Sequence, residues 1–333
     1  NLEPLPEVQT GTPTLYTADT LTDCRTAYGK ALLDLAKLNP NVVALTADLA
    51  GSVMTKFVKA EFPERHIEVG IAEQHMVSCA GALSLDGFIP FPSTFGAFMS
   101  SRAKDQARVN DINRTNVKMV ATHCGLSVGE DGPTHQAIDD MGSFLGLFHT
   151  GVLEPADPNH CDRMVRFIAA HYGNFYVRMG RHKLPVLTKE NGEVLFDAEY
   201  QYEYGKCELL RRGTDLTIAA SGSMVSEALR AQEKLLQEGI SVEIIIVSSP
   251  KKFDANLEIS IRKTKKLITV EDHNPYSGFG GQIAQFIIAK SIPIEKFEML
   301  GVREYQLSGK PEELYALAGI GQEAIEQASK KML

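Results

Sequence analysis

His123-Cys-Gly-Leu-Ser-Val-Gly-Glu-Asp131-Gly-Pro-Thr-His135 is the stretch on which the reading of this chain turns. It follows Val117-Lys-Met-Val-Ala-Thr122, an apolar, β-branched run that predicts a buried strand. Gly125, Gly129, Gly132 and Pro133 punctuate the stretch itself, a density that suits a loop. A loop at the carboxyl end of a strand is where α/β sheets bind ligands. Two histidines and an aspartate there point to chemistry on a polar small molecule. His123 and His135 suit general acid/base work or hydrogen bonding to a substrate. They also suit a packed loop that satisfies them structurally. Zinc is a third reading by residue type, but the spacing matches no zinc signature and no cysteine pair supports it. Cys124 beside His123 raises a Cys/His nucleophile, for which no activating base is evident.

Outward from this loop, strands alternate with helices. Val42-Val-Ala-Leu-Thr46 and His66-Ile-Glu-Val69 read as strands, with helices expected at about Asp23–Leu38, Gly70–Leu85 and Gly96–Asn113. Thr150–Glu154 and Asn174–Arg178 are further strands, separated by a helix from about Asn159 to Tyr172. Residues 1–20, rich in Pro and Thr, predict an extended arm. Residues 189–205 lose all helical period and read as a linker with an edge hairpin. A second series follows over 206–333, with strands at Leu216–Ala220, Val242–Val247 and Leu267–Val270 and helices at Ser223–Glu238 and Gly278–Lys290. The pattern predicts an α/β protein of two domains, 21–188 and 206–333, each a mostly parallel sheet flanked by helices.

Composition narrows the partners. The 333 residues suffice for about two domains. A formal net charge of −8 argues against a nucleic-acid partner. No apolar run reaches the roughly 18 residues needed to span a membrane. The opening Asn1-Leu-Glu-Pro-Leu-Pro-Glu lacks the basic and apolar regions of a signal peptide. Five scattered cysteines without CxxC spacing fit reduced thiols in a cytoplasmic protein.

Further residues carry possible chemistry. Glu73 opens an otherwise apolar helix in Val69-Gly-Ile-Ala-Glu-Gln-His75. A buried carboxyl there would exchange a proton with a ligand nitrogen, or would simply complement the helix dipole. Phe95 and Phe98 stand at helical spacing in Ser93-Thr-Phe-Gly-Ala-Phe-Met99, either as core or as a stacking surface for a flat ring. Arg181 and Arg25 are candidates to grip phosphate.

Taken together, these segments resemble a known family. Gly129-Glu-Asp-Gly-Pro-Thr-His-Gln136, with Ala121-Thr-His123 before it, closely resembles the pyrimidine-domain signature of transketolases. Gly70-Ile-Ala-Glu-Gln-His75 and Ser93–Phe98 are similar to two further family segments, in the expected order. Glu271-Asp-His-Asn-Pro-Tyr-Ser-Gly-Phe-Gly-Gly281 resembles part of the C-terminal domain. The resemblance implies thiamine diphosphate as cofactor, with a divalent metal, magnesium or calcium. The family holds the metal and diphosphate with a Gly-Asp-Gly segment that this sequence lacks. The resemblance therefore implies half an enzyme, completed by an N-terminal transketolase subunit that carries the diphosphate domain and most of the metal's ligands. It also implies self-association, as an α2β2 assembly.

The resemblance assigns roles as well. Glu73 would hydrogen-bond the aminopyrimidine and favour its imino tautomer, with Phe95 stacked on that ring and Phe98 beside it. His123, Asp131 and His135 would bind sugar hydroxyls, and His135 would also transfer a proton. Arg181 and Arg25 would grip the sugar phosphate, with Thr46 nearby, and no residue here would bind metal. The implied reaction moves a two-carbon ketol unit from a ketose phosphate to an aldose phosphate. Three positions depart from the family pattern: Gln74 where histidine is usual, Ser101 where tyrosine is common, and Thr46 where serine is commoner. The Ile-Ala-Glu-Gln-His wording is closer to 1-deoxyxylulose-5-phosphate synthase, and length and domain order also suit a 2-oxoacid dehydrogenase beta subunit. A non-catalytic scaffold of the same fold is a further reading. His123 and the Gly-Glu-Asp-Gly-Pro-Thr-His string favour transketolase.

Overall fold

A computed structural model describes residues 2–333; Asn1, the first residue of the expected arm, lies outside them. Six parallel strands form the first sheet: β1 (Val42–Thr46), β2 (His66–Glu68), β3 (Ile89–Phe95), β4 (Lys118–Thr122), β5 (Thr150–Leu153) and β6 (Asn174–Arg178). Their order is β2-β1-β3-β4-β6-β5. β1 is buried at every position because both faces are covered. Val43 and Leu45 pack with Met76, Val77 and Ala80 of the helix Glu73–Leu85. Val42 and Ala44, pointing the other way, join Leu32 and Leu35 of the helix Cys24–Leu38 and Met164 and Val165 of the helix Pro158–Ala169.

The second sheet holds β7 (Cys207–Arg211), β8 (Leu216–Ala220), β9 (Val242–Val247), β10 (Lys266–Val270) and β11 (Lys296–Leu300), in the order β7-β9-β8-β10-β11. All neighbours run parallel except β7, which pairs antiparallel with β9 at the edge. The fold is thus the expected pair of α/β domains. The first domain's apolar core runs on into the second, taking in Ala219, Ile245 and Phe279.

Helix ends follow local chemistry. Asp23 caps the first long helix by accepting the Thr26 N–H at 2.9 Å. Asp157 caps Pro158–Ala169 by accepting from the His160 N–H at 2.7 Å, with Pro158 at the first helical position.

Several elements differ from the sequence reading. The helix expected over 96–113 is two, Gly96–Ser101 and Lys104–Asn113, broken at Arg102 and Ala103. The helix expected from Gly70 begins at Glu73. The helix Ala255–Thr264 and the strand β11 were not anticipated. β11 is only partly buried, and its alternating Lys296-Phe-Glu-Met-Leu300 is the pattern of a one-sided edge strand. In the arm, Glu3–Pro4 pair antiparallel with His171–Tyr172, and the expected hairpin reduces to a single bridge between Thr188 and Val194.

The strand order reverses direction between β1 and β3. Ligands bind in such sheets outside the carboxyl ends of the strands at that reversal. Thr46, Phe95 and His123 all sit there, at or just beyond the ends of β1, β3 and β4.

Candidate functional site

Glu73 is only 3% exposed at the first turn of its helix, and the helix has no side-chain N-cap. Among the described residues its carboxylate has one partner: Arg102 Nη1 donates to Oε1 at 2.7 Å. The Arg102 guanidinium also lies over the Phe98 ring, 4.0 Å from its centroid. Phe98 stacks on Phe95 with centroids 5.6 Å apart and planes 19° apart. Phe95 in turn stacks on His123 at 3.8 Å and 25°. His135 meets the same rings edge-on, 5.3 Å from Phe98 and 6.1 Å from Phe95. Four residues singled out in the sequence therefore form one continuous aromatic surface, with Glu73 reached through Arg102.

His123 is placed by its backbone. Its φ of +58° turns the chain sharply at the end of β4, a conformation that few non-glycine residues adopt. Thr122 Oγ1 lies 2.8 Å from its Nδ1, and Arg25 Nη1 lies 3.4 Å from its Nε2. Arginine only donates, so Nε2 accepts and Nδ1 carries the proton. Burial first, then the charges of Arg25 and Arg181 and the proximity of His135, push the His123 pKa down to about 3. The ring is neutral at physiological pH.

Arg25 and Arg181 both lie near His123. Arg25 donates to the Ser52 carbonyl at 3.1 Å, while its Nε faces the Asp23 carboxylate at 3.4 Å. Arg181 donates to the Val128 carbonyl at 2.9 Å and to Glu130 Oε2 at 3.3 Å. Asp131 is exposed, 4.0 Å from Arg181. Thr46 is fully buried and donates to the Ser93 carbonyl at 3.2 Å, so its hydroxyl is engaged inside the sheet. The Cys124 thiol is buried and its pKa is pushed well up by that burial, which disfavours the thiolate that a nucleophile needs.

Two family models cover most of the chain: the transketolase pyrimidine-binding domain over residues 21–186, and the transketolase C-terminal domain over residues 205–325. A protein of Methanocaldococcus jannaschii named as a transketolase C-terminal section is 38% identical over 304 residues, 90% of this chain and 93% of that protein. The chain belongs to the transketolase family. Mouse transketolase is 33% identical over 325 residues, 97% of this chain but 51% of the mouse protein. The chain thus spans about half the length of that relative. A solved structure described as a split-gene transketolase, an inactive beta4 tetramer, superposes with a TM-score of 0.82 at 33% identity, covering 94% of this chain and 98% of that one.

Transketolase chemistry sets the test the residues must meet. A carboxyl beside a pair of nearly parallel phenylalanines fits the heterocyclic end of thiamine diphosphate. Among the described residues no group of three His, Cys, Asp or Glu side chains is placed to hold a metal ion.

The sequence reading missed what holds this site together. Asp272, at the end of β10, accepts the backbone N–H of Leu126 at 2.8 Å and of Ser127 at 3.3 Å, and the Tyr315 hydroxyl donates to it at 3.0 Å. Gly125 is the residue that permits this approach. Its φ is +74°, and a Cβ there would stand 2.2 Å from Asp272 Oδ2. Behind the loop, Arg178 is fully buried and donates to Asp140 Oδ2 at 2.9 Å, to Glu154, and to the Asp272 carbonyl at 3.2 Å. Ser221 of the second domain donates to Glu154 at 2.7 Å. Asp272 lies within a segment already singled out by resemblance, but the pairing of distant acids and loops leaves no trace in spacing. Arg102 had a local signal, since it stands four residues after Phe98, on the same helical face.

Proposed function

We propose that this chain is the pyrimidine-side subunit of a split transketolase, transferring a two-carbon ketol unit from a ketose phosphate to an aldose phosphate. Its domains are 21–188 and 206–333, joined by the linker 189–205. The observation that carries the reading is the convergence of Glu73, Phe95, Phe98, His123 and His135 at the reversal point of the sheet.

Thiamine diphosphate, when bound, supplies the carbon nucleophile and the electron sink for the reaction. The chain's residues bind, orient and move protons around it. The Glu73 carboxyl takes the hydrogen bond of the pyrimidine nitrogen and fixes its protonation. Phe95 and Phe98 provide the stacking surface. His123, neutral, would accept a sugar hydroxyl at Nε2 in place of the Arg25 N–H that faces it. Asp131 accepts another from the donor sugar, and His135 handles the proton at the reacting end. Arg25 and Arg181 add positive charge where a sugar phosphate would sit, with Thr46 as a further substrate-binding residue nearby.

The diphosphate and its magnesium or calcium ion are held by an N-terminal transketolase subunit. Support comes from the relative named as a transketolase C-terminal section and from the solved structure described as a split-gene transketolase, an inactive beta4 tetramer. The working assembly is α2β2. No helix among the described residues is long and apolar enough to cross a membrane, and five free thiols favour a cytoplasmic setting.

The test is reconstitution. The pure chain with thiamine diphosphate and magnesium should turn over no sugar phosphate. Adding a subunit with the Gly-Asp-Gly segment should restore conversion of xylulose 5-phosphate and ribose 5-phosphate. Turnover by the chain alone would refute the split arrangement, and consumption of pyruvate only would move the assignment to a synthase or dehydrogenase.

A further inference from the structure

Arg102 stands where a ligand ring would be expected to stand. Its flat cation donates an N–H to Glu73 Oε1 at 2.7 Å and lies 4.0 Å over Phe98. An aminopyrimidine uses the same two features: a nitrogen-bound proton for the carboxylate and a planar face for the phenylalanines. A guanidinium and an aminopyrimidine share the N–C–N unit that makes both groups planar hydrogen-bond donors. The two ends of Arg102 are unequal. Its partner Glu73 is buried, with a side-chain exposure of 4%, whereas the Arg102 side chain is 43% exposed. The arginine has a clear way out to solvent, while the carboxylate has none. Arg102 also sits at the break between the helices Gly96–Ser101 and Lys104–Asn113, outside either regular helix. Ser101 beside it donates its hydroxyl to the Ala97 carbonyl and puts no bulky group in the arginine's path.

We propose that Arg102 is an internal stand-in for the cofactor's ring, neutralising Glu73 before the ring enters and swinging into solvent when it does. This rests on the assignment of Glu73 and Phe98 to the aminopyrimidine. The device solves a physical problem of the split enzyme. A buried carboxylate without a partner is strongly destabilising, and this subunit must fold before the diphosphate half is in place. The consequence is competition: apparent affinity is lowered by the fraction of subunits in which Arg102 occupies the site.

The experiment uses the assembled two-chain enzyme and calorimetric titration with thiamine diphosphate in the presence of magnesium. Arg102→Ala should bind the cofactor more tightly, by about tenfold if the closed arrangement holds nine subunits in ten. Millimolar methylguanidinium should weaken binding to Arg102→Ala and leave the parent enzyme unchanged. The free Arg102→Ala subunit should melt at a lower temperature than the parent. Unchanged or weaker cofactor binding by Arg102→Ala, or no competition by methylguanidinium, would overturn the stand-in. Glu73→Ala serves as the control on the underlying assignment. If it binds cofactor and turns over like the parent, the assignment of the site itself fails. If it loses turnover while Arg102→Ala binds no more tightly, only the stand-in fails.

Discussion

The imidazole of His123 lies 3.8 Å from the ring of Phe95, nearly face to face, and is pinned from its two nitrogens by Thr122 and Arg25. Stacking, burial and a cationic neighbour all disfavour a second proton on that ring.

His123 should therefore stay neutral from pH 5 to 8. Its pKa falls from the ordinary 6.5 to about 3 on folding. Its contribution to stability is fully present above about 6.5, where folded and unfolded rings are both neutral, and is lost progressively as pH falls toward 3. Imidazole NMR of the native chain should show no His123 midpoint between pH 5 and 8. A midpoint near 6.5 would contradict the packing described here.

Replacing Glu73 removes the group assigned to the pyrimidine nitrogen. Glu73→Ala in the assembled enzyme should lower kcat by about a hundredfold or more, the usual scale for general acid/base groups. The circular dichroism spectrum should be retained. A rate within a few-fold of the parent would exclude the proposed proton traffic.

Arg181→Ala should raise KM for phosphorylated sugars more than it lowers kcat. A lost charged hydrogen bond is worth about 1.5–3 kcal/mol, or roughly 10- to 100-fold in affinity. Unphosphorylated substrates should be affected far less. Equal losses on both classes would place the phosphate elsewhere.

Asp272→Ala should destabilise the fold by about 3 kcal/mol, because it strands the buried N–H groups of Leu126 and Ser127 and leaves the Tyr315 hydroxyl only Ser223 as a partner. Urea denaturation reads this directly. A loss under about 1 kcal/mol would mean that the loop holds its shape without the clasp.

Much of the architecture was legible because local pattern and burial coincide. β1 is buried throughout and reads so from Val42-Val-Ala-Leu-Thr46. The helix Cys24–Leu38 was marked by its Asp23 cap and by Asn39-Pro40. The break at Arg102 was hidden because both flanking segments share a helical composition. The helix Ala255–Thr264 was masked by charged and β-branched residues that give a weak apolar stripe. At the site, sequence order placed Glu73, Phe95, Phe98, His123 and His135 on three separate segments, and the parallel sheet brings their ends together. What spacing does not encode is which partner fills a vacancy. Arg102 reaches Glu73 across 29 positions, and Asp272 reaches Leu126 across 146.

That last span bears on synthesis. A ribosome adds well over a hundred amino acids after Leu126 before the carboxylate that clasps it is made, at roughly 5–20 residues per second. The rim of the site in the first domain stays unfastened for seconds or longer after it emerges. Maturation of the rim is thereby timed by completion of the second domain, so a nascent chain presents no finished cleft to a partner before its own translation is nearly done.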